Sequence, residues 1–90
     1  MGKSTLVLDV KPAGQDVDLD ALEKKLREEI KVPGFMWSEK SERVPLFFGM
    51  SAIRIGGVID DDVDLEGIKE EIESWEDLVA STEIQAFQKI

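Results

Sequence analysis

The densest set of potential ligand atoms in this chain is Asp60-Asp61-Asp62, followed by Asp64 and Glu71. Asp60, Asp62, Asp64 and Glu71 fall at the first, third, fifth and twelfth positions of a calcium loop, but Leu65 stands at the sixth, where the sharp turn requires glycine. The set Asp16, Asp18 and Asp20 departs further, with Ala21 at the glycine position and Arg27 where the bidentate glutamate belongs. Both clusters read as solvated loops running into helix caps, and no metal is expected at either. Covalent catalysis has equally little to work with. The sequence contains no histidine, cysteine or tyrosine, which removes the usual general base, the commonest metal ligand and all thiol chemistry. No glycine-rich loop leads into a lysine and a hydroxyl residue, so no phosphate cradle and no cofactor are expected.

Two segments carry recognition chemistry instead. In Val44-Pro45-Leu46-Phe47-Phe48-Gly49-Met50, a proline and a glycine bracket two phenylalanines. Two rings are hard to bury in one short connection, and an exposed ring there is a plausible anchor for a partner pocket. The second segment is Ala86-Phe87-Gln88-Lys89-Ile90, with a lysine beside the last residue. On chemistry alone such a lysine is ordinarily frayed and inert.

The elements that must position these residues follow from periodicity. Asp16-Val17-Asp18-Leu19 recurs as Asp62-Val63-Asp64-Leu65. Apolar residues then follow at helical spacing: Leu22, Leu26 and Ile30 in the first case, Ile68, Ile72 and Trp75 in the second. Helices are expected near residues 18–31 and 65–76, with Asp18 and Asp64 as N-caps and Pro33-Gly34 ending the first. Glu23 and Arg27 have the spacing of an exposed helical ion pair. Residues 4–10 alternate as a strand, with Leu6, Leu8 and Val10 on one face. Residues 35–48 hold either two extended stretches or one bent strand, interrupted by the polar residues 38–43. Trp37 in this stretch is core or partly exposed, whereas Trp75 on its helical stripe is core. Residues 50–59 form a third extended stretch, whose Gly56-Gly57 pair marks a bulge or a close backbone approach. The last strand, residues 79–90, alternates through Ile84, Ala86 and Ile90.

The order βαββαβ predicts a single α+β domain over residues 1–90 of ferredoxin-like type. It is a four-stranded antiparallel sheet with both helices on one face and the first and third strands central. Ninety residues suffice for one modest core and leave little room for an internal ligand cavity. The net charge of −9 and the lack of a basic stripe argue against direct nucleic-acid binding and favour a basic protein partner. The apolar runs are too short for a membrane span and no secretory signal opens the chain. With no cysteine, a cytoplasmic setting fits. Met1-Gly2 is compatible with a start added to an excised domain as well as with a natural one, and the isolated domain is expected to be a monomer.

In order and spacing, several segments together resemble the C-terminal guanine-nucleotide exchange domain of the elongation factor 1 beta and delta family, of eukaryotic type. They are Leu8-Asp9-Val10-Lys11-Pro12, Trp37, Val44-Pro45 with Phe48-Gly49-Met50, Asp60-Asp61-Asp62, Trp75-Glu76-Asp77, and the ending from Ser81 through Gln85-Ala86-Phe87-Gln88-Lys89-Ile90. The resemblance runs from Thr5 to Ile90. The sequence departs from the family at Ala13, where tryptophan is frequent, and at Ser51-Ala52, where two lysines are frequent. The family's N-terminal domain and acidic linker have no counterpart in this chain, so anchoring to the gamma subunit is not expected.

The resemblance implies a partner and a mechanism. The partner would be elongation factor 1 alpha, the GTPase that carries aminoacyl-tRNA, contacted on its GTPase domain and its second domain. Lys89 would reach the magnesium and phosphate region, and Phe48 would pack into the partner, with Phe47 the more structural of the two rings. Gly49, Met50, Gln88 and Ile90 would complete the contact. Release of GDP would then proceed without covalent chemistry. The residues alone leave three rivals: a ferredoxin-like interaction module with no exchange activity, a single-stranded RNA binder, and a small hydrolase. The third strand offers Ile53, Arg54 and Ile55 but no aromatic pair for stacking bases, and no convincing nucleophile supports a hydrolase.

Overall fold

The computed structural model describes residues 2–90 except for the side chain of Phe48. The elements are β1 (Lys3–Pro12), α1 (Leu19–Glu29), β2 (Phe35–Pro45), a single 3-10 turn (Phe47–Gly49), β3 (Ser51–Asp60), α2 (Leu65–Glu73) and β4 (Val79–Lys89). The sheet is antiparallel in the order β2-β3-β1-β4, so the first and third strands are central, as the βαββαβ pattern requires.

One face of the sheet makes the core. Leu6, Leu8 and Val10 of β1 lie beside Ile53, Ile55 and Ile59 of β3, and pack against Leu22, Leu26, Ile30, Ile68 and Ile72 from the helical side. Trp75 packs partly buried against this cluster. The opposite face carries Val7, Asp9 and Lys11 of β1 and their cross-strand partners. Asp9 is buried there because Arg54, directly opposite, binds both its oxygens at 2.8 and 3.0 Å.

The two repeated caps differ. Asp18 accepts from the backbone N–H groups of Asp20 and Ala21, as an N-cap should. Asp64 occupies the N-cap position of α2 but makes no side-chain cap bond. The Glu23–Arg27 pair is not a simple surface pair. Glu23 also accepts from Ser41 at 2.7 Å and Arg43 at 2.8 Å, both on β2.

The polar stretch after Trp37 is part of one bent strand. Trp37 pairs with Gly57 and Ser41 with Ile55, so Ser38, Glu39 and Lys40 stand opposite Gly56 alone. Arg27 from α1 holds this bulge by donating to the carbonyls of Ser38 and Glu39. Trp37 is partly buried, and its indole N–H donates to the carbonyls of Leu26 and Ile30, fastening β2 to the end of α1.

The Gly56-Gly57 pair keeps regular register with β1, and toward β2 it shows both expected features: the bulge stands opposite Gly56, and Gly57 makes a close approach. A Cβ on Gly57 would sit 2.8 Å from the Met36 carbonyl oxygen and 3.2 Å from the Phe35 ring. Backbone cannot yield there without parting β2 from β3. Gly57→Ala is therefore expected to destabilise the domain by about 1–3 kcal/mol in denaturant unfolding. A change below about 0.5 kcal/mol would contradict this packing.

Candidate functional site

β4 pairs with β1 from end to end, but not uniformly. Val7 lies opposite Ala86 and Leu8 opposite Ile84, so Gln85 is an extra residue. One inserted residue exchanges the faces of everything beyond it. Ile84 shares the helix-side face with Leu8, whereas Ala86 shares the open face with Val7. The uninterrupted alternation expected through Ile84, Ala86 and Ile90 is thus broken at Gln85. Phe87 and Lys89 return to the helix side, opposite Leu6 and Ser4. The edge is secured from α2, where Glu73 accepts from both the N–H and the hydroxyl of Thr82 at 2.9 Å.

Lys89 is no frayed residue. It is the last residue of β4, followed by Ile90, whose N–H donates to the Lys3 carbonyl at 2.9 Å. Its ammonium reaches Asp61 Oδ2 at 2.9 Å and remains two-thirds exposed. Gln88 lies opposite Thr5, whose hydroxyl donates to the Gln88 carbonyl, and Ile90 is exposed. Asp61 follows β3 in the turn to α2, and its N–H donates to the Gly2 carbonyl. Sheet order brings together a carboxylate and a lysine 28 residues apart. No sequence spacing announces this pair; finding it requires knowing that β1 lies between β3 and β4. Neighbouring Asp60 is within 3.8 Å of Lys3. Among the described residues no three carboxylates converge on a metal-sized position.

The Phe47–Gly49 turn lies at the opposite end of the sheet. Leu46 donates to the Met50 carbonyl at 2.7 Å and closes the loop, and Gly49 takes a left-handed φ of 74°, which favours glycine. Met50 is half-buried and Gly49 exposed. Phe47, expected to be the more structural of the two rings, is 85% exposed. The turn aims it away from the core, and the half-buried residue at the entrance is Leu46. The ring of Phe48, the expected anchor, lies outside the described residues. From Ser4, opposite Lys89, to Pro12, near the turn, β1 advances eight residues, or about 26 Å. The two groups of candidate residues therefore occupy the two ends of a molecule 42 Å long.

Three carboxyls along this framework are held more acidic than usual. Burial alone would raise Glu23, but hydrogen bonds from Ser41, Arg43 and Arg27 outweigh it and hold it below 4.5. The backbone and hydroxyl of Thr82 lower Glu73, and the Lys89 ammonium lowers Asp61 below 3.8. A depressed folded-state pKa contributes stability above the unfolded value that is lost as pH falls through the folded one. The stability difference between the wild type and Glu23→Gln should thus be largest near neutral pH and shrink below about pH 4.5. Unfolding curves at a series of pH values that show a constant difference would contradict the role assigned to Glu23.

Fold and geometry together define a small ferredoxin-like α+β module whose candidate recognition groups gather at the two ends of one sheet. The chain belongs to the family described as the EF-1 guanine nucleotide exchange domain, which it matches over residues 5–90. It is 41% identical over its whole length to a probable elongation factor 1-delta of Drosophila melanogaster. It is 37% identical to an elongation factor 1-beta of Xenopus laevis and 33% identical to one of Artemia salina, again over its whole length. The chain spans 35%, 39% and 43% of those three relatives, so it corresponds to less than half of each.

Proposed function

We propose that this domain promotes GDP release from elongation factor 1 alpha so that GTP can rebind, by docking both ends of its sheet on the GTPase. Lys89, flanked by Gln88 and Ile90, acts at the magnesium and phosphate region, and the turn carrying Phe48, Gly49 and Met50 holds a second surface of the partner. The observation that carries this reading is the placement of Lys89: an ordered, exposed ammonium at the tip of an edge strand, in a member of an exchange-domain family. The 26 Å between it and the aromatic turn suits a partner contacted on two domains.

The chemistry is electrostatic. Magnesium keeps a strict octahedral oxygen shell, and with a P-loop lysine it holds the GDP phosphates of such GTPases. A second ammonium brought into that shell repels the ion or competes for its carboxylate ligands. By linkage, whatever factor the docked domain costs GDP, GDP costs the domain. No covalent step is involved and no cofactor is needed. The domain acts as a monomer in the cytoplasm and contacts no nucleic acid directly; a net charge of −9 with no basic stripe disfavours phosphate. The test is release of fluorescent GDP from purified elongation factor 1 alpha. Acceleration that saturates with added domain supports exchange, whereas a complex with unaltered release identifies a non-catalytic interaction module.

A further inference from the structure

Lys89 stands on β4 and Asp61 follows β3, with β1 between them. Their 2.9 Å contact therefore spans the start of β1 and lays the lysine stem across the sheet end instead of letting it project. The stem passes close over the chain, since a Cβ on Gly2 would lie 2.8 Å from Lys89 Cε and 2.6 Å from Asp61 Oδ2. Both charges stay open to water, at 67% and 39% side-chain exposure, so an approaching surface can reach either one.

We propose that Asp61 is the resting counter-ion of Lys89, restraining the ammonium in the free domain and surrendering it to the partner's phosphate and magnesium region on docking. This inference rests on the role given to Lys89 above. Two physical consequences follow. The charge-assisted contact must open before the ammonium can enter a neighbouring cleft. The Asp61 carboxylate is then left without its cation beneath a docked surface, close to anionic phosphates, where an unpaired charge is penalised. Both effects oppose insertion. Neutralising Asp61 should therefore favour the inserted state. Because exposed ion pairs are weak, the gain is modest, about two- to fivefold.

The experiment is a double-mutant cycle on GDP release from elongation factor 1 alpha at saturating domain. Asp61→Asn should raise the release rate about two- to fivefold. Asp61→Glu, which keeps a carboxylate, should stay near the wild-type rate. In a Lys89→Ala background Asp61→Asn should change nothing. In the free domain, the Lys89 ammonium nitrogen resonance should move in Asp61→Asn and hold its position in Asp61→Glu. A rate that falls or stays level in Asp61→Asn while Lys89→Ala is impaired would overturn the counter-ion role alone. An equal change in both backgrounds would also overturn it, because the effect would not pass through the lysine. Undiminished release by Lys89→Ala would remove the exchange role of Lys89 and this inference with it.

Discussion

Lys89→Ala should slow GDP release at saturating domain by about ten- to a hundredfold, which is about 1.4–2.7 kcal/mol of barrier. Its affinity for the nucleotide-free partner should stay close to wild type. The asymmetry comes from where the residue works. Lys89 closes a strand whose last residues, Ala86 to Lys89, pair continuously with β1, so its backbone is supported without the side chain. The ammonium is exposed, and it pairs with the Asp61 carboxylate at the surface. Its removal should leave the fold and most of the docking surface unchanged while deleting the charge that acts on the metal. Lys89→Arg should rescue only in part, because a planar guanidinium spreads the charge that an ammonium concentrates. Added magnesium should slow the wild type more than the alanine variant. A variant that loses affinity and rate in equal measure would place Lys89 in docking instead of exchange.

Phe48→Ala should weaken complex formation about five- to thirtyfold, the penalty for truncating an anchor worth about 1–2 kcal/mol. The unfolding midpoint should barely change. Phe47 supplies the comparison in a form its sequence context did not reveal. It is almost fully exposed, so Phe47→Ala should alter stability by less than about 0.5 kcal/mol. If Phe47→Ala costs binding and Phe48→Ala does not, the anchor is Phe47. If Phe48→Ala unfolds readily but binds normally while folded, its ring belongs to the core and the turn docks by other means. Calorimetric titration of each variant against the nucleotide-free GTPase, with thermal unfolding in parallel, separates these outcomes.

The fold was legible because its core obeys simple periods. Leu6, Leu8 and Val10 alternate, Leu22 and Leu26 repeat at helical spacing, and Ile68 and Ile72 do the same. What the sequence hid were places where tertiary contacts override a local rule. Gln85 interrupts the alternation of β4 without any glycine or proline to mark it. The polar residues after Trp37 look like a break, yet they form a bulge that Arg27 holds from another element. Asp64 stands in the same motif as Asp18 but does not cap. The candidate site was legible mainly through family likeness, since a lysine near a chain end and a Phe-Phe-Gly turn have no distinctive spacing. The Asp61–Lys89 contact was invisible because it depends on strand order, not on any motif.

The most direct test of the exchange role is a stopped-flow trace of fluorescent GDP leaving purified elongation factor 1 alpha, chased with excess unlabelled nucleotide, at increasing concentrations of this chain. The release rate should rise hyperbolically to a plateau for the wild type. Lys89→Ala should half-saturate at nearly the same concentration but reach a plateau about ten- to a hundredfold lower. A release rate that stays at its spontaneous value at every concentration of the wild-type chain, while a stable complex forms, would contradict the account.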